Sequence, residues 1–223
     1  MPVFFLPTKS RSLAVPGSGR YYTLALPREG GRAEAEAGRV AAEQNLIAPE
    51  DSLGAAVIAS AIEEGFTITT AESCTGGALG AALTEVPGSS SVFLGGVISY
   101  SYEMKELLLG VARDTLDRRG AVSPECAEEM CAGTEKRLGG SVQIAITGIA
   151  GPDGGTPEKP VGLVYMALGS GGRIDRYEFR FSGGRSEIRE RSVEAALLLI
   201  YRRIREGWDF PLEAIDGKRL TAG

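Results

Sequence analysis

The 223-residue chain carries Lys+Arg 24 against Asp+Glu 29, a net charge of −5 with no basic run, which argues against a nucleic-acid surface. Its 43% hydrophobic and 24% charged residues suit a soluble globular protein. No stretch of ~18 apolar residues and no leader pattern points to a membrane or to export, and the zero histidines exclude a Ser-His-Asp triad, a Cys-His pair and every His-ligated metal site.

Residues 1–49 read as an N-terminal arm. They are rich in proline and contain a Gly17-Ser18-Gly19 run and the polar segment Arg28-Glu29-Gly30-Gly31-Arg32. Two apolar islands, Val3-Phe4-Phe5-Leu6 and Tyr21-Tyr22-Thr23-Leu24-Ala25-Leu26, can pair as strands or strap onto the domain or a neighbouring subunit. Ala33 to Asn45 suits a short, weakly amphipathic helix.

A continuous α/β pattern starts near Glu50 and defines a domain over 50–208, with a tail at 209–223. Asp51 or Ser52 caps a helix with apolar residues at helical spacing, stopped by Gly65. Gly65 to Thr70 alternates β-branched and aromatic residues as a short buried strand. It breaks into Ala71-Glu72-Ser73-Cys74-Thr75-Gly76-Gly77, and Ala78 to Leu83 reads as a helix. A strand, a turn of small hydroxyl residues and glycines, then a helix exposes backbone N–H groups to a developing charge or an anion. Ser73 and Thr75 add hydroxyls, and Gly76 and Gly77 allow close approach. An ordinary serine-rich N-cap is the plain alternative.

Val92 to Tyr100 is a second buried strand, followed by a helix from Glu103 to Leu109 ended by Gly110 and a shorter one over Asp114 to Arg119. Tyr100 and Lys105 thereby put a phenol at a strand end and an amine one turn into the next helix; a surface Tyr and a solvated Lys are the plain reading. Ser123-Pro124-Glu125 starts a helix that runs to about Leu138. Val142 to Thr147 is a third strand. The glycines of Thr147-Gly148-Ile149-Ala150-Gly151-Pro152-Asp153-Gly154-Gly155 suit a loop wrapped around a ligand, or simply a flexible loop.

Val161 to Leu168 and Ile174 to Phe181 form an antiparallel hairpin across Gly169 to Gly172. A final helix runs from about Arg185 to Arg205. Its opening arginine opposes the helix dipole unless an anion such as phosphate sits there; Glu187–Arg191 pairing at i,i+4 accounts for Arg191 but not for Arg185. Together these elements predict an α/β fold, a three-layer α/β/α arrangement with a mixed sheet and a late hairpin. Cys74, Cys126 and Cys131 are odd in number and match no zinc spacing, as expected of reduced thiols in a cytoplasmic protein.

The set resembles the CinA C-terminal-domain family, which includes the nicotinamide-nucleotide amidases. The matching segments are Thr70 to Gly77, Gly96-Val97-Ile98-Ser99-Tyr100-Ser101 with Lys105, Leu109-Gly110-Val111, Gly120-Ala121-Val122-Ser123 and Thr147 to Gly155. Lys159-Pro160-Val161-Gly162 and Phe181-Ser182-Gly183-Gly184-Arg185 complete it, in the family's order over roughly residues 50–205. The resemblance implies hydrolysis of the carboxamide of nicotinamide mononucleotide to nicotinate mononucleotide and ammonia, with a catalytic set of Ser73, Tyr100 and Lys105. It also implies a stand-alone version with a different N-terminal arm.

On the bottom-up reading Ser73 attacks, Lys105 is the base, and Tyr100 relays or donates a proton. N–H groups near Thr75–Gly77 form the oxyanion hole. The substrate site draws on Thr75, Gly76, Gly77, Thr147, Gly148, Gly151 and Arg185, with Arg185 and the 147–155 loop holding the ribose phosphate. No metal or cofactor is expected. The expected partners are a pyridine nucleotide and other copies of the chain as a homo-oligomer, with no nucleic acid and no membrane. The chain departs from the family pattern at Tyr102, where Asn is usual, which leaves Ser101 to cap the helix that aims Lys105. A binding-only paralogue and an interaction module working through the arm are the competing functions.

Overall fold

A computed structural model of the chain describes the backbone of residues 11–15 and 20–24, and describes residues 52–210 and 217–220 in full. The chain divides into two units, Met1–Ala48 and Pro49–Gly223. In the first, β1 (Arg11–Val15) pairs antiparallel with β2 (Arg20–Leu24), with Arg11 opposite Leu24 and Val15 opposite Arg20. Among the described residues the tyrosine island pairs with Arg11–Val15. Only Pro16-Gly17-Ser18-Gly19 separates the two strands, and a short connection keeps the entropy of closure low. Val3–Leu6 and the helix expected over Ala33 to Asn45 lie outside the described residues.

The second unit begins with α1 (Leu53–Glu64). Ser52 Oγ accepts from the Ala55 N–H at 3.1 Å, and Gly65, in the left-handed region at φ 72°, closes the helix. Then come β3 (Ile68–Glu72), α2 (Ala78–Thr84) and β4 (Phe93–Ile98). One turn of α3 (Tyr102–Met104) runs into a π-helical segment, Lys105–Leu109, where a plain α-helix was expected. Here the Gly110 N–H reaches back five residues to the Lys105 carbonyl as well as to that of Glu106. The elements α4 (Arg113–Arg119), α5 (Pro124–Leu138), β5 (Val142–Gly148), β6 (Leu163–Ser170), β7 (Arg173–Arg180), α6 (Arg185–Glu206) and β8 (Gly217–Leu220) follow.

The strands form one six-stranded mixed sheet in the order β4-β3-β5-β6-β7-β8. The β4–β3 and β3–β5 pairs are parallel and the other three antiparallel. All five residues of β3 are buried, as a strand covered on both faces must be. It runs two residues beyond the expected end, because Ala71 and Glu72 continue both ladders, against Val97 and Ile98 and against Ala145 and Ile146. The β6–β7 turn is tighter than expected. Gly171 and Gly172 alone make it, with φ of 60° and 79°, the conformation a two-residue hairpin turn with two positive φ values requires.

Helices α1, α2 and α6 pack together on one face of the sheet, and α5 covers the other, which completes the three layers. On the α5 side the core includes Ala71, Leu109, Leu116, Cys126, Met130 and Ala145. Gly133 of α5 faces the end of the π segment so closely that a Cβ there would collide with the Leu109 carbonyl. The described residues of the segment expected as a tail, 209–210 and 217–220, join the domain. Phe210 is buried against Tyr177, ring centroids 6.5 Å apart, and β8 extends the sheet beside β7. Among the described residues no helix is long and apolar enough to cross a membrane.

Candidate active site

Because β4, β3 and β5 are adjacent and parallel, their C-terminal ends open on one edge of the sheet. That edge is where open α/β sheets bind ligands. It brings Ser73, the Ser99–Tyr100 pair and Gly148 together from three distant parts of the chain.

The turn after β3 is organised by Glu72. Its side chain is 2% exposed and bends to the start of α2. There Oε2 accepts from the N–H groups of Gly77 at 2.9 Å and Leu79 at 3.1 Å, and Oε1 from Gly80 at 2.8 Å. The anion that the helix start attracts is therefore part of the chain. The Gly76 N–H goes to the Ser73 carbonyl at 3.0 Å and the Ala78 N–H to the Thr75 carbonyl at 3.3 Å. Gly76 and Gly77 thus offer no free N–H for an oxyanion, as had been expected of them. Their glycine character has a steric cause: φ is 61° and 94°, and a Cβ on Gly77 would lie 2.9 Å from Ile98 Cδ1. Among the described residues the N–H groups of Cys74 and Thr75 meet no oxygen acceptor and face the Cys74 sulfur.

Ser73 is anchored through its N–H to the Ile146 carbonyl at 3.0 Å, which leaves its hydroxyl for Lys105. Lys105 Nζ lies 2.9 Å from Ser73 Oγ, 2.6 Å from the Ser99 carbonyl and 3.4 Å from the Tyr100 carbonyl. The lysine is completely buried. Burial lowers its pKa below the ordinary lysine value, opposed by the nearby thiols of Cys126 and Cys74. Two carbonyls and one hydroxyl match the two hydrogens and the lone pair of a neutral amine. Ser101 caps α3, accepting from the Met104 N–H at 3.2 Å, so the helix aims Lys105 at Ser73 with Tyr102 in place of Asn. Burial pushes the Cys74 thiol up to about 11, and that of Cys126 likewise to about 11. Cys74 is therefore a buried, protonated neighbour of the serine.

A second cluster lies beside the first. Arg185, in the first turn of α6, donates through Nη1 to the Gly151 carbonyl at 2.8 Å and through Nη2 to the Tyr100 hydroxyl at 3.2 Å. Tyr100 is 60% exposed and links the two clusters, with its carbonyl on Lys105 and its phenol on Arg185. One turn along α6, Arg189 Nη2 donates to the Thr75 carbonyl at 2.8 Å, beside a groove of about 330 Å³ lined by Ala78, Ser186 and Glu190 among others. Glu187 turns back to accept from the Gly184 N–H at 2.7 Å, instead of pairing with Arg191.

The remaining expected residues face inward. Thr147 Oγ1 donates to the Ala121 carbonyl at 2.7 Å, and the Thr75 hydroxyl is buried without a partner among the described residues. Gly148 packs against β6, where a Cβ would lie 2.7 Å from Val164 Cγ2. Gly151 is buried at φ 76° and gives its carbonyl to Arg185. Sequence reasoning missed Glu72 as a cap, Arg189, and the carbonyl of Ser99. The i,i+4 spacing of Arg185 and Arg189 was the one available signal, since Glu72 ends β3 five residues before the cap of α2.

The family model of the CinA C-terminal domain matches residues 50–204. The CinA-like protein of Syntrophomonas wolfei is 48% identical over 157 residues, covering 70% of this chain and 38% of that protein. The CinA-like protein of Parasynechococcus marenigrum is 46% identical over 173 residues, covering 77% of this chain and 41% of that protein. The chain thus spans less than half the length of these curated relatives. Among solved structures, the competence/damage inducible protein CihA from Agrobacterium tumefaciens superposes with a TM-score of 0.65 at 42% identity, over 66% of this chain and 91% of that one. The competence damage-inducible protein A from Klebsiella pneumoniae gives 0.68 at 34%, over 70% and 97%. With this sheet, this turn and these matches, the chain belongs to the CinA C-terminal domain family.

Proposed function

We propose that the domain is an amidohydrolase that converts nicotinamide mononucleotide to nicotinate mononucleotide and ammonia in pyridine-nucleotide recycling, in the cytoplasm. The observation that carries this reading is the buried amine of Lys105, 2.9 Å from Ser73 Oγ, in a chain without histidine. A serine becomes a nucleophile only when a base takes its proton, and a desolvated lysine supplies that base.

Ser73 Oγ attacks the carboxamide carbon as Lys105 Nζ accepts its proton. The tetrahedral oxyanion is met by the N–H groups of Cys74 and Thr75, which exchange their weak contact with the Cys74 sulfur for it. Collapse breaks the C–N bond, and the proton held on Lys105 passes to the departing ammonia, which leaves an acyl ester on Ser73. Water then attacks the ester with Lys105 again as base, and nicotinate mononucleotide leaves as the serine recovers its proton. Tyr100 accepts from Arg185, so its own O–H proton remains available on the leaving-group side. Arg185, with the loop it holds through Gly151, is the phosphate-binding residue of this scheme. Leu94, Ile98 and Leu107, 54%, 54% and 65% exposed on and beside the edge strand β4, support a homo-oligomeric state.

Ammonia release from the mononucleotide tests the scheme. Ser73→Ala is expected to lower it by ~10³-fold or more, with Cys74→Ala within a few-fold of the parent. Activity that survives Ser73→Ala and disappears with Cys74→Ala would reverse the assignment of the nucleophile. Nucleotide binding by the parent without ammonia release would make the domain a sensor.

A further inference from the structure

The turn between α4 and α5 brings no reactive group of its own to the sheet edge, yet three side chains from site-bearing segments hold it. Lys159, at the end of the glycine loop that follows β5, donates to the carbonyls of Arg119 and, at 2.7 Å, Val122. The Tyr102 hydroxyl accepts from the Ala121 N–H at 3.3 Å, and Thr147 Oγ1 donates to the Ala121 carbonyl at 2.7 Å. Gly120 sits among them at φ 77°, where a Cβ would lie 3.4 Å from Lys159 Nζ and 3.7 Å from Tyr102 Oη. The ammonium and the phenol therefore approach the same side of the turn.

Each of these groups is attached to something the reaction would use. Tyr102 is three residues from Lys105, on the turn of helix that leads into the lysine's segment. Thr147 is the penultimate residue of β5. Lys159 closes a loop whose residues 152–158 are all exposed, and whose other end Arg185 grips at Gly151. The closing end is preformed: the Thr156 N–H donates to the Lys159 carbonyl at 2.8 Å, and the Lys159 N–H to Thr156 Oγ1 at 3.0 Å. An exposed loop tied at both ends by cations to carbonyls is held in one position without a packed core of its own.

We propose that Lys159 and Tyr102 are positioning residues that tie the 149–162 loop and the helix aiming Lys105 to one shared anchor, the turn at 119–123. Loop position and base position are coupled through this turn. The kinetic part of the proposal rests on the amidase reading above. The structural part does not.

The experiment uses the full chain with Lys159→Met, Lys159→Arg, Tyr102→Phe and the double variant Tyr102→Phe/Lys159→Met. Cleavage after Glu158 by a glutamate-specific protease should quicken by ~10-fold in Lys159→Met and return most of the way in Lys159→Arg. With the mononucleotide, Lys159→Met should raise KM by ~10-fold and change kcat by less than ~3-fold, a split that general destabilisation does not produce. The double variant should lower kcat/KM by a factor at least ~3-fold away from the product of the two single effects. Unchanged cleavage in Lys159→Met, or single effects that multiply to within ~2-fold, would overturn the proposal. Should the parent release no ammonia, the amidase reading fails, and the cleavage measurement alone decides whether the loop is tied at Lys159.

Discussion

Replacing Glu72 probes the turn that presents Ser73. Its carboxylate takes three N–H groups, those of Gly77, Leu79 and Gly80, at 2.8–3.1 Å, and the side chain is 2% exposed. Hydrogen bonds to a charged acceptor contribute about 1.5–3 kcal/mol each, and a buried donor left without one costs about 1–3 kcal/mol. Glu72→Gln keeps the shape. Its one carbonyl oxygen can serve Gly77 and Leu79, but its NH₂ must then face the Gly80 N–H, a loss of about 2–3 kcal/mol. Glu72→Ala abandons all three donors and should lose about 3–5 kcal/mol, since water reaches the less buried ends of the network. For a domain of this size each kcal/mol moves Tm by about 2–4 °C, so the Gln variant should melt ~4–12 °C below the parent and the Ala variant lower still. Urea and thermal unfolding at one pH measure both. A Gln variant within ~0.5 kcal/mol of the parent at unchanged m-value would refute the reasoning, because a single oxygen would then do the work of two.

Two further substitutions address the lysine and the arginine. Lys105→Met should lower kcat by ~10²–10⁴-fold and melt no lower than the parent. The parent's kcat should rise with pH through a pKa below the free-lysine value of 10.5, because burial lowers it in the folded state. Below that folded value the buried amine must be charged, so the unfolded chain binds more protons across the window up to 10.5 and stability rises with pH there; a flat pH profile of kcat would contradict Lys105 as base. Arg185→Ala should raise KM for the mononucleotide by ~10–100-fold, the worth of a charge-assisted contact, with a smaller effect on the riboside lacking phosphate. Equal losses on the two substrates would remove the phosphate from Arg185.

The meeting of Ser73 and Lys105 was expected from the resemblance of their segments to the CinA C-terminal-domain family, whereas local signals place each residue without bringing the two together. A buried strand broken by small hydroxyl residues and glycine marks a turn at a sheet edge, and one turn of helix separates Lys105 from the end of the next strand. Ser52, and Ser123 with Pro124, likewise announced their helices by residue type. What stayed hidden depends on partners far away in the chain. Thr147 and Lys159 both reach the turn at 119–123, a convergence no window of sequence contains. Glu72 closes the β3 ladder, so period-two reasoning gives no hint that its carboxylate bends onto the next helix. The π segment is a change of hydrogen-bond register, and Lys-Glu-Leu-Leu-Leu suits an α-helix equally well. Gly217–Leu220 is too short and too polar to read as a strand, yet an outermost strand needs only one neighbour to pair with.

The state of the three thiols has a practical consequence. Cys74, Cys126 and Cys131 are all buried and unbridged, and burial raises the pKa of each. Maleimides and iodoacetamides react with exposed thiolates, and at neutral pH the folded chain offers none of its own. A single cysteine introduced at an exposed position such as Asp153 would therefore take a fluorophore or spin label alone, with every native cysteine left in place. The chemistry that makes Cys74 a poor nucleophile leaves the glycine loop open to site-specific spectroscopy.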